Sequence, residues 1–469
     1  MVWVTIDRAS KTALKEQLIT QLRANILNGE LAAGSSLPST RQLALDLRVS
    51  RNVVLEAYEQ LTAEGFLEGR HGAGTFVAEG AILREPAAAP IPAARDIPPK
   101  KDVVSFRSGI PALDLFPRRK WSQLAQQVLQ RSPDGTFGYG SPEGRHELRH
   151  AIAAYLYRVR GVRCDPDQLL ITSGATQAIT LAAKLCVRPG KPFVVEDPIT
   201  NDIQTILASH GARLVPLPVD DAGLDTSELR RGVDRGSVYV TPSHQYPMGS
   251  VLPIQRRIHL IEYARSTGNF IVEDDYDSEF RYEGDPIPAL QGLDPNVVIY
   301  IGTFSKILSP ALRIGYMVLP TPFIERGRQL KWFSDLHTPS LEQLILARFL
   351  EEGHLERHIR KMKKVYKRKR DLVRDHFQAQ FGDSVRIAGD STGLHLIAEF
   401  PDVSFTAEVL NRMTDAGVSA QPVSIHAADR VRHANRLIIG FGNLQERDIA
   451  RGIERMKLAL SSERTRQPR

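Results

Sequence analysis

The chain has 469 residues, 42% of them apolar and 25% charged, which is the composition of a globular protein with two or three domains. A net charge of +7 mildly favours a polyanionic partner. The two cysteines, Cys164 and Cys186, exclude a disulfide framework and offer no Cys-x-x-Cys pair, so we expect a reducing compartment and no metal. Without a membrane-length apolar run or a secretory signal pattern, the expectation is a cytoplasmic protein.

The N-terminal part of the chain predicts three helices and a hairpin. Residues 11–28 repeat apolar side chains at helical spacing. Ser39, three residues before Gln42, and Ser50 are N-cap candidates for the second and third helices. Residues 66–77 contain two short strand-like pieces around a Gly-rich turn. This order indicates a winged helix-turn-helix, with a small helical adaptor as the alternative.

The third helix of a winged helix-turn-helix enters the DNA major groove by its N-terminal end. Arg51 and Asn52 lie at that end and can pair with guanine and adenine edges. Segments 37–44, 49–54 and 72–77 resemble the GntR-type DNA-binding domain. The resemblance implies DNA contacts from both helices and from the wing, at Arg41, Ser50, Arg51, Asn52, Arg70 and His71.

Residues 79–102 contain five prolines, which exclude a helix or a central strand. Such a segment predicts an extended, semi-stiff linker that spans at most about 70 Å, at roughly 3.1 Å per residue. It separates a DNA-binding module over residues 10–78 from a large domain over residues 103–460.

Apolar strand-like runs alternate with helical runs in the large domain, which indicates an α/β sheet. The runs are Leu169–Thr172, Phe193–Glu196, Val238–Thr241, Phe270–Asp274 and Val297–Ile301. Chemically interesting residues follow several of these runs directly, at the sheet edge where open α/β sheets bind ligands.

Three of these segments have cofactor chemistry. Residues 169–177 read as a strand, a Gly turn and a helix start, which suits a phosphate. Residues 272–276 end a strand with acids and a phenol, for which a metal or a solvated turn is the alternative. Lys306 follows a strand, and Arg313 comes seven residues later. A phosphate site, an acid for a pyridine nitrogen and a Schiff-base lysine are together what pyridoxal phosphate (PLP) requires.

The order and spacing of these segments resemble the fold-type I aminotransferases. The resemblance implies a Schiff base between PLP and Lys306, an ion pair from Asp274 to the ring nitrogen, and a hydrogen bond from Tyr276 to the ring hydroxyl. It implies a phosphate site formed by Gly174, Ala175, Thr176, Thr303 and Arg313. Tyr139 resembles a tyrosine that reaches a neighbouring subunit's phosphate, and Arg436 resembles an arginine that grips an amino acid's carboxylate.

Residues 241–249 resemble the MocR form of this domain, with Tyr246 at the cofactor where typical aminotransferases have Asn. A GntR-type domain, a linker and an aminotransferase-like domain in this order resemble the MocR regulators, over residues 11–78 and 103–460. The resemblance implies a homodimeric, PLP-dependent regulator that binds double-stranded DNA and senses an amino acid, an amine or PLP itself. An active aminotransferase with an appended DNA-binding domain is the alternative, so the question of enzyme activity stays open.

One residue departs from the family pattern. Thr200 stands where the family has an aromatic that stacks on the pyridine ring.

A basic segment lies further along the chain. Residues 356–374 contain ten Lys and Arg against two acids, with apolar residues at helical spacing. This amphipathic helix is either a solvated face or a second patch that contacts DNA phosphates without sequence preference.

Overall fold

A computed structural model describes residues 4–81, 102–229 and 235–461. These residues form two compact units, one before residue 82 and one from residue 102 onward. Apart from residues 79–81 and 102, the predicted linker lies outside the described residues. Within the described ranges, none of the helices combines the length and the apolar character that a membrane crossing requires.

The first unit is a winged helix-turn-helix, as predicted. Its elements are α1 (Leu14–Leu27), α2 (Thr40–Leu47), α3 (Arg51–Ala63), β1 (Leu67–Arg70) and β2 (Gly74–Val77). The Ser39 hydroxyl accepts from the Gln42 amide at 3.2 Å, but the Gln42 side chain bonds Asp46, so only half of the predicted capping box forms. Val4 is buried in the same core, so the compact unit begins before residue 10.

The second unit is an α/β domain with a smaller C-terminal part. Its helices are α4 (Arg118–Arg131), α5 (His146–Arg160), α6 (Ala175–Cys186), α7 (Asn201–Ser209), α8 (Ile254–Thr267), α9 (Ile324–Asp335), α10 (Ser340–Glu351), α11 (His354–Phe381), α12 (Ala407–Asp415) and α13 (Glu446–Ser461). Helices α4, α5 and α10 contribute to one apolar cluster of the unit, whereas α6 and α7 contribute to another.

An eight-stranded sheet forms the centre of this unit, in the order β4-β11-β10-β9-β8-β5-β6-β7. Its strands are β4 (Leu169–Thr172), β5 (Pro192–Asp197), β6 (Arg213–Asp220), β7 (Gly223–Leu224), β8 (Val238–Val240), β9 (Ile271–Asp275), β10 (Val298–Thr303) and β11 (Gly315–Val318), while β3 (Val104–Ser105) precedes the sheet in the chain and is not part of it. Only β11 and β7 run against the others. All five predicted strand runs are present, and their carboxyl ends meet at one edge of the sheet.

The C-terminal part contains a four-stranded sheet in the order β12-β13-β16-β15 and a short parallel pair of β14 with β3. The strands are β12 (Arg386–Ala388), β13 (His395–Glu399), β14 (Val418–Ser419), β15 (Gln421–Pro422) and β16 (Arg436–Gly440). Helices α11 and α13 pack on this sheet through a common apolar cluster.

The basic helix predicted over residues 356–374 is the first two thirds of α11. Its basic residues do not form one solvated face. The Lys369 amine is buried and donates to the Gly442 carbonyl at 2.8 Å. Arg370 is 2% exposed and contacts Glu283 and Asp390, so this arginine holds the fold together and is not available to DNA.

Candidate functional site

Lys306 lies just beyond the end of β10, at the carboxyl edge of the large sheet. Its amine donates to the Gly109 carbonyl at 2.7 Å. Burial lowers the pKa of this amine below its ordinary value, and the nearby charge of Arg107 acts in the same direction, while Asp277 and Asp274 oppose it. A lysine whose neutral form is favoured is a nucleophile for a carbonyl group.

Asp274 is the fourth residue of β9, and its carboxylate is buried. One oxygen accepts from the Tyr239 hydroxyl at 2.5 Å, whereas Oδ1 has no partner among the described residues. Burial raises the pKa of Asp274 to about 6. A buried acceptor without a partner is costly, and a protonated pyridine nitrogen would satisfy it.

Arg160, at the end of α5, holds the neighbouring carboxylate in place. It is 2% exposed, and its Nε donates to Asp275 Oδ2 at 2.8 Å. Its remaining nitrogens donate to the Ser243 hydroxyl, at 2.7 Å, and to the Ile287 carbonyl. The Tyr300 hydroxyl adds a second bond to Asp275 Oδ2 at 2.6 Å. This buried group fixes the ends of three elements beneath Asp274, and the sequence pattern did not reveal it.

Tyr276 contacts a buried group of two histidines and an acid. Its hydroxyl lies 3.1 Å from Nδ1 of His244, which is 2.7 Å from the Asp277 carboxylate. His395 lies beside His244, and its Nε2 is 2.9 Å from the Pro247 carbonyl. Ligand atoms of His244, Asp277 and His395 lie within 4.8 Å of one another. Hydrogen bonds already engage each of the three side chains, so we assign them to positioning Tyr276.

The turn between β4 and α6 has the form of an anion site. Gly174 has φ 90°, and a Cβ there would lie 2.9 Å from the Arg313 guanidinium, so the turn requires glycine. Arg313 donates to the Ser173 carbonyl at 2.6 Å and thereby stands at the N-terminus of α6. The backbone amides of Ala175 and Thr176 begin this helix. A guanidinium beside a helix N-terminus suits a phosphate.

Two more residues were predicted to bind phosphate. Thr303 is opposite Gly315 of β11, which is opposite Thr172 at the end of β4, so it ends its strand at the level of this turn. Its side chain is buried, and its hydroxyl bonds Ser305. Tyr139 is 84% exposed, and its ring contacts His337 beyond the end of α9. Within one chain, Tyr139 therefore does not close the site.

Tyr246 connects the sheet edge to the start of the large domain. Its hydroxyl lies 3.0 Å from the Ser108 hydroxyl, next to the Gly109 carbonyl that holds Lys306. Its ring meets Tyr276 edge-on at 6.1 Å. Four of the predicted cofactor residues, Lys306, Asp274, Tyr276 and Tyr246, thus lie around one centre.

Arg436 lies at the opposite end of β16 from the residue that pairs with His395. In the β13–β16 pair, His395 is opposite Gly440, and Arg436 is four residues further along, about 13 Å at the usual strand rise. Glu399 and His433 engage its guanidinium. It lines a cavity of about 780 Å³ that Lys306 and Asp274 do not line.

Ile438 of β16 belongs to an apolar cluster against which Tyr246 packs. Residues two apart in a strand share a face, so Arg436 and Ile438 lie on the same face of β16. The Nε of Arg436 is buried and has no hydrogen-bond partner among the described residues, and its grip on a ligand's carboxylate stays a prediction.

Thr200 is the N-cap of α7, and its hydroxyl accepts from the Asp202 amide at 3.4 Å. The loop that follows β15 is fastened to this segment, since Ile199 donates to the His426 carbonyl and Ala428 to the Asp197 carboxylate. The position of the absent aromatic therefore has a structural role as a helix cap.

The predicted DNA contacts all lie on exposed positions of the first unit: Arg41, Ser50, Arg51, Asn52, Arg70 and His71. Ser50 caps α3 through the Val53 amide, so Arg51 and Asn52 occupy the first turn of the helix. Arg70, at the end of β1, pairs with Glu68 and stacks on Phe76 at 4.5 Å, which fixes the base of the wing.

Comparisons with known proteins agree with this geometry. Residues 101–456 match the family model of aminotransferase class I and II, and residues 14–77 match that of bacterial regulatory proteins, gntR family. The probable rhizopine catabolism regulatory protein MocR of Rhizobium meliloti is 35% identical, over 97% of this chain and 95% of its own. The pyridoxine biosynthesis transcriptional regulator PdxR of Corynebacterium glutamicum is 29% identical, over 94% and 95%.

Among solved structures, the kynurenine aminotransferase of Pyrococcus horikoshii in complex with PMP has a TM-score of 0.72 and 28% identity, over 78% of this chain and 92% of its own. The residues around Lys306 and Asp274 fit PLP, since Asp274 offers a buried acceptor without a partner among the described residues to a ring nitrogen, and the Arg313 turn offers a guanidinium and a helix N-terminus to a phosphate.

Fold and site together define a transcriptional regulator in which a PLP-dependent, aminotransferase-like domain follows a winged helix-turn-helix that binds DNA. The chain belongs to the MocR-type subfamily of the GntR regulators.

Proposed function

We propose that this regulator senses a small primary amine, such as an amino acid, another amine or the amine form of its own cofactor, or PLP itself, through a Schiff base at Lys306. The observation that supports the proposal is a half-buried lysine and a buried, half-satisfied carboxylate at one sheet edge. Burial lowers the pKa of the Lys306 amine, and Asp274 offers an acceptor without a partner among the described residues.

Bound PLP supplies an aldehyde that condenses with primary amines and a ring that withdraws electrons. The chain's own groups determine how it is held. Asp274 keeps a proton on the ring nitrogen, because a buried carboxylate is stabilised by a cationic partner. The hydroxyls of Tyr246 and Tyr276 would be available to bond the ring hydroxyl, and Arg313 would neutralise the phosphate charge.

The assignment of Lys306 can be tested by trapping. Borohydride reduction of the holoprotein should add the cofactor mass to the peptide that contains Lys306, as read by mass spectrometry. Lys306→Ala should carry no added mass, because the amine proposed to condense with the cofactor aldehyde is gone. Lys331→Ala, which removes another buried lysine of the same unit, should be labelled as the wild type is. A labelled Lys306→Ala protein would contradict the assignment.

An active aminotransferase is the second candidate, and one observation favours it. Lys306, Asp274 and Arg313 are of the residue types that an aminotransferase needs, and the likeness to the kynurenine aminotransferase covers 78% of this chain. Steady-state amino-group transfer above about 1 s⁻¹, the low end for ordinary enzymes, combined with no affinity for DNA, would favour this candidate over the regulator.

We further propose that the protein works as a homodimer. Three exposed aromatic side chains support this proposal, with Phe333 at 86%, Tyr139 at 84% and Phe137 at 57% exposure. Phe333 lies on α9, two residues before Asp335, whose carboxylate accepts from Gln177 beside the phosphate turn. Exposed aromatics of this size mark interaction surfaces. A second copy seated here would bring its own Tyr139 towards the phosphate turn.

The dimer proposal predicts a large effect for Phe333→Asp. Burying one Phe contributes about 1.5–3 kcal/mol, and a twofold interface counts it twice. The dimer dissociation constant should therefore rise by roughly two orders of magnitude, and PLP affinity should fall with it. Sedimentation and PLP titration measure both. Leu458→Asp, at a 72% exposed position on α13, is the matched control. An intact Phe333→Asp dimer would contradict the proposal.

A further inference from the structure

The hydroxyl of Tyr276 lies beside an imidazole nitrogen that already has a partner. It is 3.1 Å from Nδ1 of His244, and this nitrogen is 2.7 Å from Oδ1 of Asp277. An imidazole nitrogen has a single position in the ring plane, which holds either a hydrogen or a lone pair. Asp277 occupies that position at the shorter distance, so the hydrogen of the Tyr276 hydroxyl finds no free lone pair on His244.

The surroundings of the Asp277–His244 pair determine which ring nitrogen carries the hydrogen. Oδ2 of Asp277 accepts from the Leu394 amide at 3.3 Å, and an ionised carboxylate can only accept. Nε2 of His244 is buried and has no hydrogen-bond partner among the described residues. A hydrogen on Nε2 would therefore be a buried donor without an acceptor, and two acceptors would face each other between the ring and Asp277. The hydrogen of the neutral ring lies on Nδ1 and is donated to Asp277.

The phenol of Tyr276 keeps a hydrogen that the protein does not use. Burial raises the pKa of this phenol, so it stays protonated near pH 7. His244 is its one hydrogen-bond contact within the part of the chain that the structure describes, and His244 cannot accept. The hydrogen of the Tyr276 hydroxyl is therefore available to a ligand in the cofactor site.

The other groups around His244 do not bond its ring in the described ranges. His395 on β13 lies beside the ring, with 4.9 Å between the centroids. Burial lowers the pKa of His395 to about 4, so this neighbour is neutral near pH 7. The remaining titratable groups that face His244, Asp277, Tyr276 or His395 are Tyr246, Tyr282, Glu196, Asp274 and Lys306. The direction of the Tyr276 hydrogen bond thus depends on the Asp277–His244 pair.

We propose that His244 is a positioning residue, which together with Asp277 directs the Tyr276 hydroxyl to donate to the ring oxygen of bound PLP. In this arrangement the site holds that oxygen as an oxyanion. This inference rests on the proposed Schiff base at Lys306. A protonated Schiff base already shares its proton with the ring oxygen, so a further donor stabilises the oxygen most when that proton has left. His244 therefore lowers the pKa of the Schiff base through Tyr276.

Titration of the visible spectrum of the full-length holoprotein measures this pKa, because the absorbance of the bound cofactor changes when the Schiff base loses its proton. His244→Leu should raise the midpoint by about one pH unit, since the freed Asp277 carboxylate then competes for the Tyr276 hydrogen. His244→Asn is nearly the size of Leu, retains an N–H for Asp277 and should keep the midpoint close to that of the wild type. His259→Leu, which removes a half-buried histidine of α8 that bonds Thr226, is the matched control and should not shift it.

A double-variant cycle shows whether His244 acts through Tyr276. Tyr276→Phe removes the hydroxyl itself and should raise the midpoint by a similar amount. Adding His244→Leu to Tyr276→Phe should then change nothing further, because the group on which His244 acts is gone. A purely structural role of His244 would shift the midpoint in both backgrounds.

Nitrogen NMR of the apoprotein reads the position of the ring hydrogen without any cofactor. The His244 signal, identified by its loss in His244→Asn, should show the hydrogen on Nδ1. Asp277→Asn should move it to Nε2, because the Leu394 amide requires an oxygen and the Asn then turns its NH2 group towards Nδ1. This measurement decides the inference even if His244→Leu does not fold.

The outcomes separate this inference from the proposed function. An unchanged midpoint in His244→Leu, an equal shift on the Tyr276→Phe background, or a hydrogen on Nε2 in the wild-type apoprotein would overturn the role of His244 alone. Borohydride would still label Lys306 in each of these cases. If the wild-type holoprotein has neither a pH-dependent visible band nor a label at Lys306, the proposed Schiff base is itself wrong.

Discussion

Arg160→Leu should destabilise the second unit by about 3–5 kcal/mol, because it leaves the buried Asp275 carboxylate without its cationic partner. Arg160 is 2% exposed and donates to Asp275, Ser243 and Ile287. Its loss also leaves the Ser243 hydroxyl and the Ile287 carbonyl unsatisfied. Since Asp275 adjoins Asp274, PLP affinity should fall together with stability.

Urea unfolding of the holoprotein and the apoprotein measures both effects. Arg451→Leu is the matched control, because its ion pairs with Asp448 and Asp102 are partly exposed, and each should contribute at most about 1 kcal/mol. The double variant Arg160→Leu, Asp275→Asn should recover part of the loss, since it removes the unpaired charge. Equal unfolding midpoints for Arg160→Leu and Arg451→Leu would show that the buried pair contributes little.

Five strands of the large sheet could be predicted because each is a short apolar run, which can be recognised from adjacent residues alone. The order of these runs along the chain also predicted that the site lies at the carboxyl edge of the sheet. Lys306 and the Gly174 turn follow strands, Asp274 lies near the end of one, and strands that share a direction end on one side. The DNA-binding unit was predictable for a similar reason, because the Ser39 and Ser50 caps are local hydrogen bonds.

The partners of these residues could not be predicted, because they come from distant parts of the chain. Arg160 lies 115 residues from Asp275, and Tyr239 lies 35 residues from Asp274. Neither has a local pattern that distinguishes it from an ordinary helix or strand residue. The His426 ring faces Tyr246 only because its loop is fastened to α7.

The basic helix shows how composition misleads about exposure. Ten basic residues predicted a charged face, yet Lys369 and Arg370 point into the unit and bond Gly442 and Asp390 there. Arg368 pairs with Glu446 on α13. Only part of the helix therefore offers free positive charge, and a test of DNA contact must leave Arg370 intact.

Replacing Arg51 and Asn52 by Ala should remove most of the preference for the operator over unrelated DNA. Both residues are exposed in the first turn of α3, which Ser50 holds in place. Each good contact to a base edge contributes about 1–3 kcal/mol of discrimination. The pair should therefore lower the specificity ratio by roughly two orders of magnitude, as measured by competition binding at fixed salt.

Three exposed residues of α11 test for DNA contacts that lack sequence preference, in contrast to those of α3. They are Arg360, Lys361 and Lys364. If they contact phosphates, their replacement by Gln weakens all DNA equally and reduces the salt slope by about 0.9 per contact. The specificity ratio should not change, because phosphates carry no sequence. Arg188, Lys191 and Arg213, exposed elsewhere on the second unit, control for the loss of net charge. Equal losses in both triple variants would mean that net charge alone acts, and an unchanged ratio in Arg51→Ala, Asn52→Ala would mean that other residues read the bases.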